Sequence, residues 1–465
     1  MSEKSSVSSI FTNSGVGDSG GSGSGSGGSG GGGGDGSNME EVTKKKGMHY
    51  GLAAFFLVAQ MAGAGFLALP NALVDVGWLG IPMMLLFCFS VSFAAIRLGR
   101  SYVILEERWP EYKEPARQPY MEIAYRSMGS TGRKLTMVTV VVNLFGSATV
   151  FIILICEMLA SLLMYATSDD SCAFNKCQMV IIVGVALIPF TWLGTPKDFW
   201  QASVLAVTAT AAAVVVIIVE IFAGQESIPD HPRYPNPTVS SFSLGFGSIL
   251  FAYGGAAVFP TIQNDMEDRS LFWKSIYIGF TGIQTMYLPV ALSGYIMYGD
   301  QVKDNILLTV DSSAAVTVAI ALQIVNLLCT FIISCNPVSQ TIEDVLNIPH
   351  NFNWRRCVVR SVTVLLQMLI CLAIPDFGLI LNLIGGSLIT LCTFVLPPLM
   401  YMRLIDDHSG PWKHRTMAMW ERIFLVEIII VGVIGGVCST ITAVYEIVEA
   451  SFQESCFTTF SHCTE

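Results

Sequence analysis

Long apolar runs separated by short polar stretches fill the chain from residue 48 onward. Crossing about 30 Å of hydrocarbon takes roughly 20 apolar residues as helix. Eleven runs fit that requirement, at 48–73, 77–100, 134–165, 178–194, 200–223, 243–265, 272–298, 313–338, 356–374, 377–402 and 421–447. The pattern predicts an all-α membrane protein with eleven transmembrane helices. Residues 1–47 are different in kind. Fourteen glycines lie between Gly15 and Gly36, interspersed with Ser and Asp. Such a tract buries too little apolar surface to offset chain entropy, so a disordered Gly/Ser-rich tail is expected ahead of an eleven-helix domain at 48–447. Residues 448–465 form a short final tail. Residues 1–46 hold no early apolar core of the kind a secretory signal requires.

Two of the runs are interrupted in the same way. The first contains Gln60-Met61-Ala62-Gly63-Ala64-Gly65-Phe66-Leu67-Ala68-Leu69-Pro70, and the sixth contains Phe251-Ala252-Tyr253-Gly254-Gly255-Ala256-Ala257-Val258-Phe259-Pro260. In each, the last Gly precedes Pro by five residues, and Gly65 and Gly255 are 190 residues apart. Glycine loosens a helix and proline removes a donor. Freed peptide groups at membrane depth are costly unless they line a cavity or bind something. Broken helices at matching places in two five-helix halves are the mark of an inverted-repeat (LeuT-like) secondary transporter, here five plus five with one extra helix. A half-helix N-terminus can hold a carboxylate, and the carbonyls of a half-helix C-terminus can hold an ammonium. An amino acid carries both groups. Candidate substrate-binding residues are therefore Met61, Gly63, Ala64, Gly65 and Phe66 at the first break and Phe251, Tyr253, Gly254, Gly255 and Ala256 at the second. Asn143, Gln323 and Asn326 are polar at span depth, and Asn143 and Asn326 join the candidate set.

Charge gives the orientation. Of 25 Lys and Arg, only Lys176, Arg233 and Lys303 fall in the loops opposite the N-terminus. That bias places the N-terminus in the cytoplasm and the C-terminus outside. Trp78, Trp109, Trp192, Trp200, Trp273, Trp354, Trp412 and Trp420 lie at or near run ends, as interfacial anchors do. Cys172, Cys177, Cys456 and Cys463 fall in outside segments, and at least one disulfide is expected among them; four cysteines allow three pairings. Overall the chain is 52% hydrophobic and 13% charged, with a mean hydropathy of +0.58. The charged share is about half that of a soluble domain, which excludes a nucleic-acid binder and an ordinary cytosolic enzyme. No His lies deep in a run, so no metal site is expected. No phosphate-binding Gly-Lys-Ser/Thr sequence supports an ATP-driven pump. No cofactor is expected.

At the broken helices the sequence resembles the amino acid/auxin permease family, which includes proton-coupled, vesicular and vacuolar amino acid transporters. The matching pieces are GAGFLALP, PYMEIAYRSMG, FAYGGAAVFP, YGDQVKDNILL and LNLIGGSLITLCTFVLPPLMY, in order across 48–447. The resemblance implies eleven spans, an inside N-terminus, the inverted-repeat fold and amino acid transport. In the sodium-coupled branch an Asn near the first break helps bind Na⁺; Ala59 stands there in this chain. Sodium is thereby disfavoured and a coupling proton favoured, although Thr330 and Ser334 keep oxygens in span eight.

Intramembrane acids are expensive and default to functional hypotheses. Glu157, Glu220 and Glu427 lie in the apolar runs, and Glu157 is the candidate for proton coupling because the third span borders the site in this fold. The expected function is secondary active transport of neutral amino acids by symport with protons, alternating access around helices one and six. A vesicular amino acid or neurotransmitter exchanger and a nutrient-sensing membrane receptor are the alternatives. The expected partners are the amino acid, the coupling proton and the lipid bilayer, with no nucleic acid. A plasma membrane and a vesicle- or lysosome-type membrane both fit.

Overall fold

A computed structural model describes residues 47–167, 176–192, 200–223, 231–349, 353–454 and 456. The glycine-rich tail expected over 1–46 lies outside the described residues, as do Cys172 and Cys463. Fourteen α-helices follow one another, and no strand occurs among the described residues. They are α1 (Tyr50–Met61), α2 (Gly65–Val76), α3 (Gly80–Arg108), α4 (Pro119–Thr167), α5 (Lys176–Trp192), α6 (Trp200–Ala223) and α7 (Val239–Ala252). Then come α8 (Phe259–Asn264), α9 (Phe272–Tyr298), α10 (Ala314–Val345), α11 (Trp354–Ala373), α12 (Phe377–Ile384), α13 (Leu396–Asp406) and α14 (Met419–Glu454).

Among the described residues, seven helical stretches are long and apolar enough to cross a membrane, and three shorter apolar helices accompany them at Tyr50–Met61, Cys177–Trp192 and Val239–Ala252. The short pieces include the helices that precede the two expected breaks, α1 and α7. A twelve-residue helix such as α1 is only about 18 Å long. It crosses hydrocarbon only together with the helix beyond its break. A short 3₁₀ turn at Gly77–Leu79 joins α2 to α3, with Gly77 at φ 68°, where a side chain would be strained. α4 begins fifteen residues before the expected run, and Gly129, at φ 72°, divides it into an entry piece and a span. The tenth run is one helix with a widened middle: two π segments, Gly385–Ile389 and Leu391–Val395, lie between α12 and α13. α14 continues to Glu454, beyond the expected end at 447.

The helices pack into one body around α1, α2 and α7. α2 lies against α7 and α9, α1 against α9, and α10 against α4 and α6. α11 packs on α5, and α14 on α7. Small residues allow the closest approaches. A Cβ on Gly385 would fall on the carbonyl of Gly247, and one on Gly386 would fall on Ser439. Where the driving force between apolar helices is van der Waals contact, such small-residue seams carry the packing.

A buried charge joins three of these helices. Arg360 of α11 and Glu343 of α10 are 2% and 1% exposed. Arg360 Nε donates to Glu343 Oε1 at 2.8 Å, Nη1 to the Thr191 carbonyl of α5 at 2.6 Å, and Nη2 to Asn336 Oδ1 at 3.1 Å. Arg356 Nε lies 3.4 Å from the same carboxylate oxygen. A guanidinium fork with several partners is the arrangement that offsets the cost of burying a charge. Elsewhere, Cys177 at the start of α5 is bonded to Cys456, after α14, across 279 residues. The Cys456 amide donates to the Leu372 carbonyl at 3.1 Å.

Replacing Arg360 by Met should leave Glu343 buried with only Arg356 near it. Loss of one partner from a buried pair costs about 3–5 kcal/mol, so thermal unfolding in detergent should shift to markedly lower temperature. Arg360→Met combined with Glu343→Leu should recover much of that loss, because the unpaired charge is gone.

Candidate functional site

Helix α1 stops at Met61, Ala62–Ala64 are not helical, and α2 starts at Gly65. Helix α7 stops at Ala252, Tyr253–Val258 are irregular, and the six-residue α8 follows. The two interruptions touch. A Cβ on Gly65 would fall on the backbone of Ala252, and one on Gly255 would lie 2.8 Å from the Met61 side chain and 2.7 Å from Phe259. Gly63 faces the Phe151 ring of α4 and the Thr330 methyl of α10. Met61, Ala64, Phe66, Phe251, Tyr253 and Ala256 are all buried. The local cause is the glycine and alanine content: only residues without bulky side chains let two backbones meet this closely.

Four carbonyls at the breaks accept from side chains. Tyr287 of α9 lies with its hydroxyl 2.9 Å from the Met61 carbonyl and 3.2 Å from the Ala252 carbonyl, donating between the ends of α1 and α7. Its ring stacks on Phe66 with centroids 6.3 Å apart. Asn326 Nδ2 donates to the Ala62 carbonyl at 3.0 Å and to Thr210 Oγ1 at 2.9 Å, and Thr210 Oγ1 lies 3.3 Å from the same carbonyl. Gln323 Nε2 donates to the Gly63 carbonyl at 2.8 Å. The expectation that these carbonyls wait for an ammonium changes accordingly: the Met61, Gly63 and Ala252 carbonyls each already accept from a side chain, and the Ala62 carbonyl accepts from two. The N–H side differs. The amides of Gly63, Ala64, Gly65 and Phe66, and those of Gly255, Ala256 and Ala257, meet no acceptor among the described residues. The breaks therefore present N–H groups and the positive end of α2, an environment for an anionic group.

Other candidates are placed differently. Tyr253 turns its hydroxyl to Gln284 Oε1 of α9 at 2.6 Å, so it secures the second break to α9. Asn326 holds the first break by its backbone. Asn143 lies eight residues before Phe151, about 12 Å down the helix. It sits beside Cys392 of the π segment, away from the first break, and its buried Oδ1 has no donor among the described residues. Glu157, half-buried, is six residues beyond Phe151 and engages a neighbour. Glu220 accepts from Ser313 at 3.0 Å, and Glu427 is exposed on the outer side of α14. Ser334 Oγ accepts from Gln60 Nε2 at 3.2 Å, and Thr330 Oγ1 bonds back to the Asn326 carbonyl at 2.9 Å. Sequence reasoning missed Tyr287, Thr210 and Gln284. It also passed over Asp75 at the end of α2, which faces the carboxylates of Asp304 and Glu446. Tyr287 does carry a local sign, a tyrosine two residues before Pro289 in an apolar run.

Contacts join neighbouring elements at both ends of the site. At the face where α1 begins, the Met48 amide donates to the Asp265 carbonyl at 2.9 Å, and the Glu267 amide to the Met48 carbonyl at 3.0 Å. Asn264 exchanges both its amide groups with the backbone of Ala116 and accepts from Tyr102 at 2.7 Å. Arg117 pairs with Asp344 at 2.9 Å. Beside these contacts lies an open cavity of about 780 Å³ lined by Tyr112, Glu122, Arg133, Lys134 and Asp344. At the other face, Asn71 donates to Asp304 at 2.6 Å, and Trp78, Tyr234 and Tyr295 form an aromatic cluster.

Gly65→Ala should force the two breaks apart, with a packing cost of about 1–3 kcal/mol and a loss of activity of tenfold or more. Gly282→Ala is the control, since nothing lies within 4 Å of its added Cβ; its activity and melting temperature should match the unsubstituted chain.

A family profile described as "Transmembrane amino acid transporter protein" matches residues 48–444. Amino acid transporter AVT1C of Arabidopsis thaliana is 25% identical over 416 residues, covering 88% of this chain and 72% of the relative. Amino acid transporter ANT1 of the same plant is 25% identical, covering 83% of this chain and 89% of the relative. Among solved structures, MhsT in complex with L-phenylalanine superposes with a TM-score of 0.56 at 12% identity, over 84% of this chain and 98% of MhsT. That likeness establishes a shared inverted-repeat fold. With most of its length matched by the family profile, the chain belongs to the transmembrane amino acid transporter family.

Proposed function

We propose that this protein is a secondary transporter that moves amino acids across a membrane by alternating access around its two helix breaks. The observation that carries this reading is the asymmetry at the breaks. Two runs of amide N–H groups have no acceptor among the described residues, while four nearby carbonyls already accept from side chains. In a low-dielectric interior such amides are stabilised by an anionic group. The carboxylate of an amino acid supplies one without a buried cationic side chain. Family membership and the named relatives support the same substrate class.

Counting each broken pair as one crossing gives eleven, with the N-terminus cytoplasmic by the Lys and Arg bias. The substrate is a neutral amino acid, since buried apolar groups such as Met61, Phe66, Phe151 and Phe251 surround the breaks. The coupling ion is a proton. Ala59 has no side-chain ligand, and the span-eight oxygens of Ser334 and Thr330 are engaged within the protein. Glu157 carries the proton in this reading, being the acid of α4 closest in sequence to Phe151.

Reconstituted in liposomes without Na⁺, the protein should take up amino acids faster when the source side is acidified. Glu157→Gln should flatten that response while amino acid binding persists. Strict dependence on Na⁺ would overturn proton coupling. An unaltered pH response in the variant would move the assignment to another carboxylate, with Asp75 next in line.

A further inference from the structure

One buried acceptor at the first break has no donor. Gln323 of α10 is fully buried, and its Nε2 donates to the Gly63 carbonyl at 2.8 Å. A carbonyl can only accept, so the amide nitrogen must face Gly63 and the orientation of the side chain is fixed. Its Oε1, bonded to the same carbon, therefore also lies beside the break. That oxygen is buried and meets no hydrogen-bond donor among the described residues. Donors nearby are committed elsewhere. Asn326 Nδ2 serves Ala62 and Thr210, Thr330 serves the Asn326 carbonyl, and Tyr287 serves Met61 and Ala252. A buried amide oxygen left without a donor is unfavourable, and native proteins rarely keep one without a use.

We propose that Gln323 Oε1 accepts a hydrogen bond from the α-ammonium group of the transported amino acid, making Gln323 the residue that selects for a free amine. This rests on the amino acid transport reading and assigns the second half of the zwitterion. The unaccepted amides at Gly63–Phe66 take the carboxylate. The α-ammonium, with its several N–H donors, reaches this buried side-chain acceptor, which no donor serves among the described residues. The second lone pair of the Gly63 carbonyl flanks it. A carboxylic acid of the same shape without the amine leaves Oε1 unmet, so the site discriminates against it by the loss of a charge-assisted bond.

The full-length protein in lipid nanodiscs is screened against the twenty standard amino acids by ligand-induced thermal shift and direct binding. The tightest of them is then paired with its des-amino carboxylic acid. Gln323→Leu should weaken the amino acid roughly tenfold or more, the size expected for a hydrogen bond to a charged group, and change des-amino binding less than twofold. Gln323→Glu, which keeps acceptor oxygens in place, should restore most of the amino acid affinity. If Leu and Glu variants lose affinity equally, or if the Leu variant loses the des-amino acid as much as the amino acid, Gln323 only braces the Gly63 carbonyl and the proposal fails. Where the des-amino acid binds neither protein, the comparison of Leu with Glu decides. An unsubstituted protein that binds none of the twenty overturns the transport reading itself, a result distinct from failure of the Gln323 assignment.

Discussion

Interrupting a helix in a membrane exposes peptide groups that have no water to bond with, and the centre of this protein is organised around that cost. An unmet backbone group in hydrocarbon costs several kcal/mol (about 4–8 on a cyclohexane scale). Two interruptions placed side by side, at 62–64 and 253–258, would be unsustainable without partners. Tyr287, Asn326, Thr210 and Gln323 supply donors to the carbonyls. They come from α6, α9 and α10, so the first break specifies which helices surround it. The bundle packs as it does partly because the breaks require donors at that depth.

The local half of this architecture was legible in the sequence. Glycine, alanine and proline act on their own backbone, so the motifs at Gly65–Pro70 and Gly255–Pro260 marked the breaks to within a few residues. The apolar runs marked the helices, and α6 and α9 begin and end where the runs do. What was hidden depends on distant partners. Tyr287 is 226 residues from Met61 in the chain, and Gln323 is 260 from Gly63. Nothing in either stretch says which carbonyl its side chain meets. Arg360 and Glu343 carry no local sign of each other, yet folding buries them together. The π segments at Gly385–Ile389 and Leu391–Val395 were also illegible, because a widened turn keeps the apolar pattern of the helix around it.

The donors differ in what they join, and this bears on how such a site can turn from one face to the other. Tyr287 connects the ends of α1 and α7, helices that also touch through Gly65 and Ala252, so it holds the two broken helices to each other. Asn326 and Gln323 connect α1 to α10, which packs on α4 and α6, and Arg360 ties α10 to α5 and α11. The bonds therefore sort into a set that keeps the broken helices together and a set that fastens them to the neighbouring helices. A movement of one group against the other must exchange or stretch the second set while leaving the first intact. The net worth of one such hydrogen bond is only about 1 kcal/mol, so exchanging a partner is cheap. Leaving the carbonyl bare would cost several times more. A site that moves must then change partners without losing them, and a substrate that carries both donors and an acceptor group is well suited to fill the vacancies during the exchange.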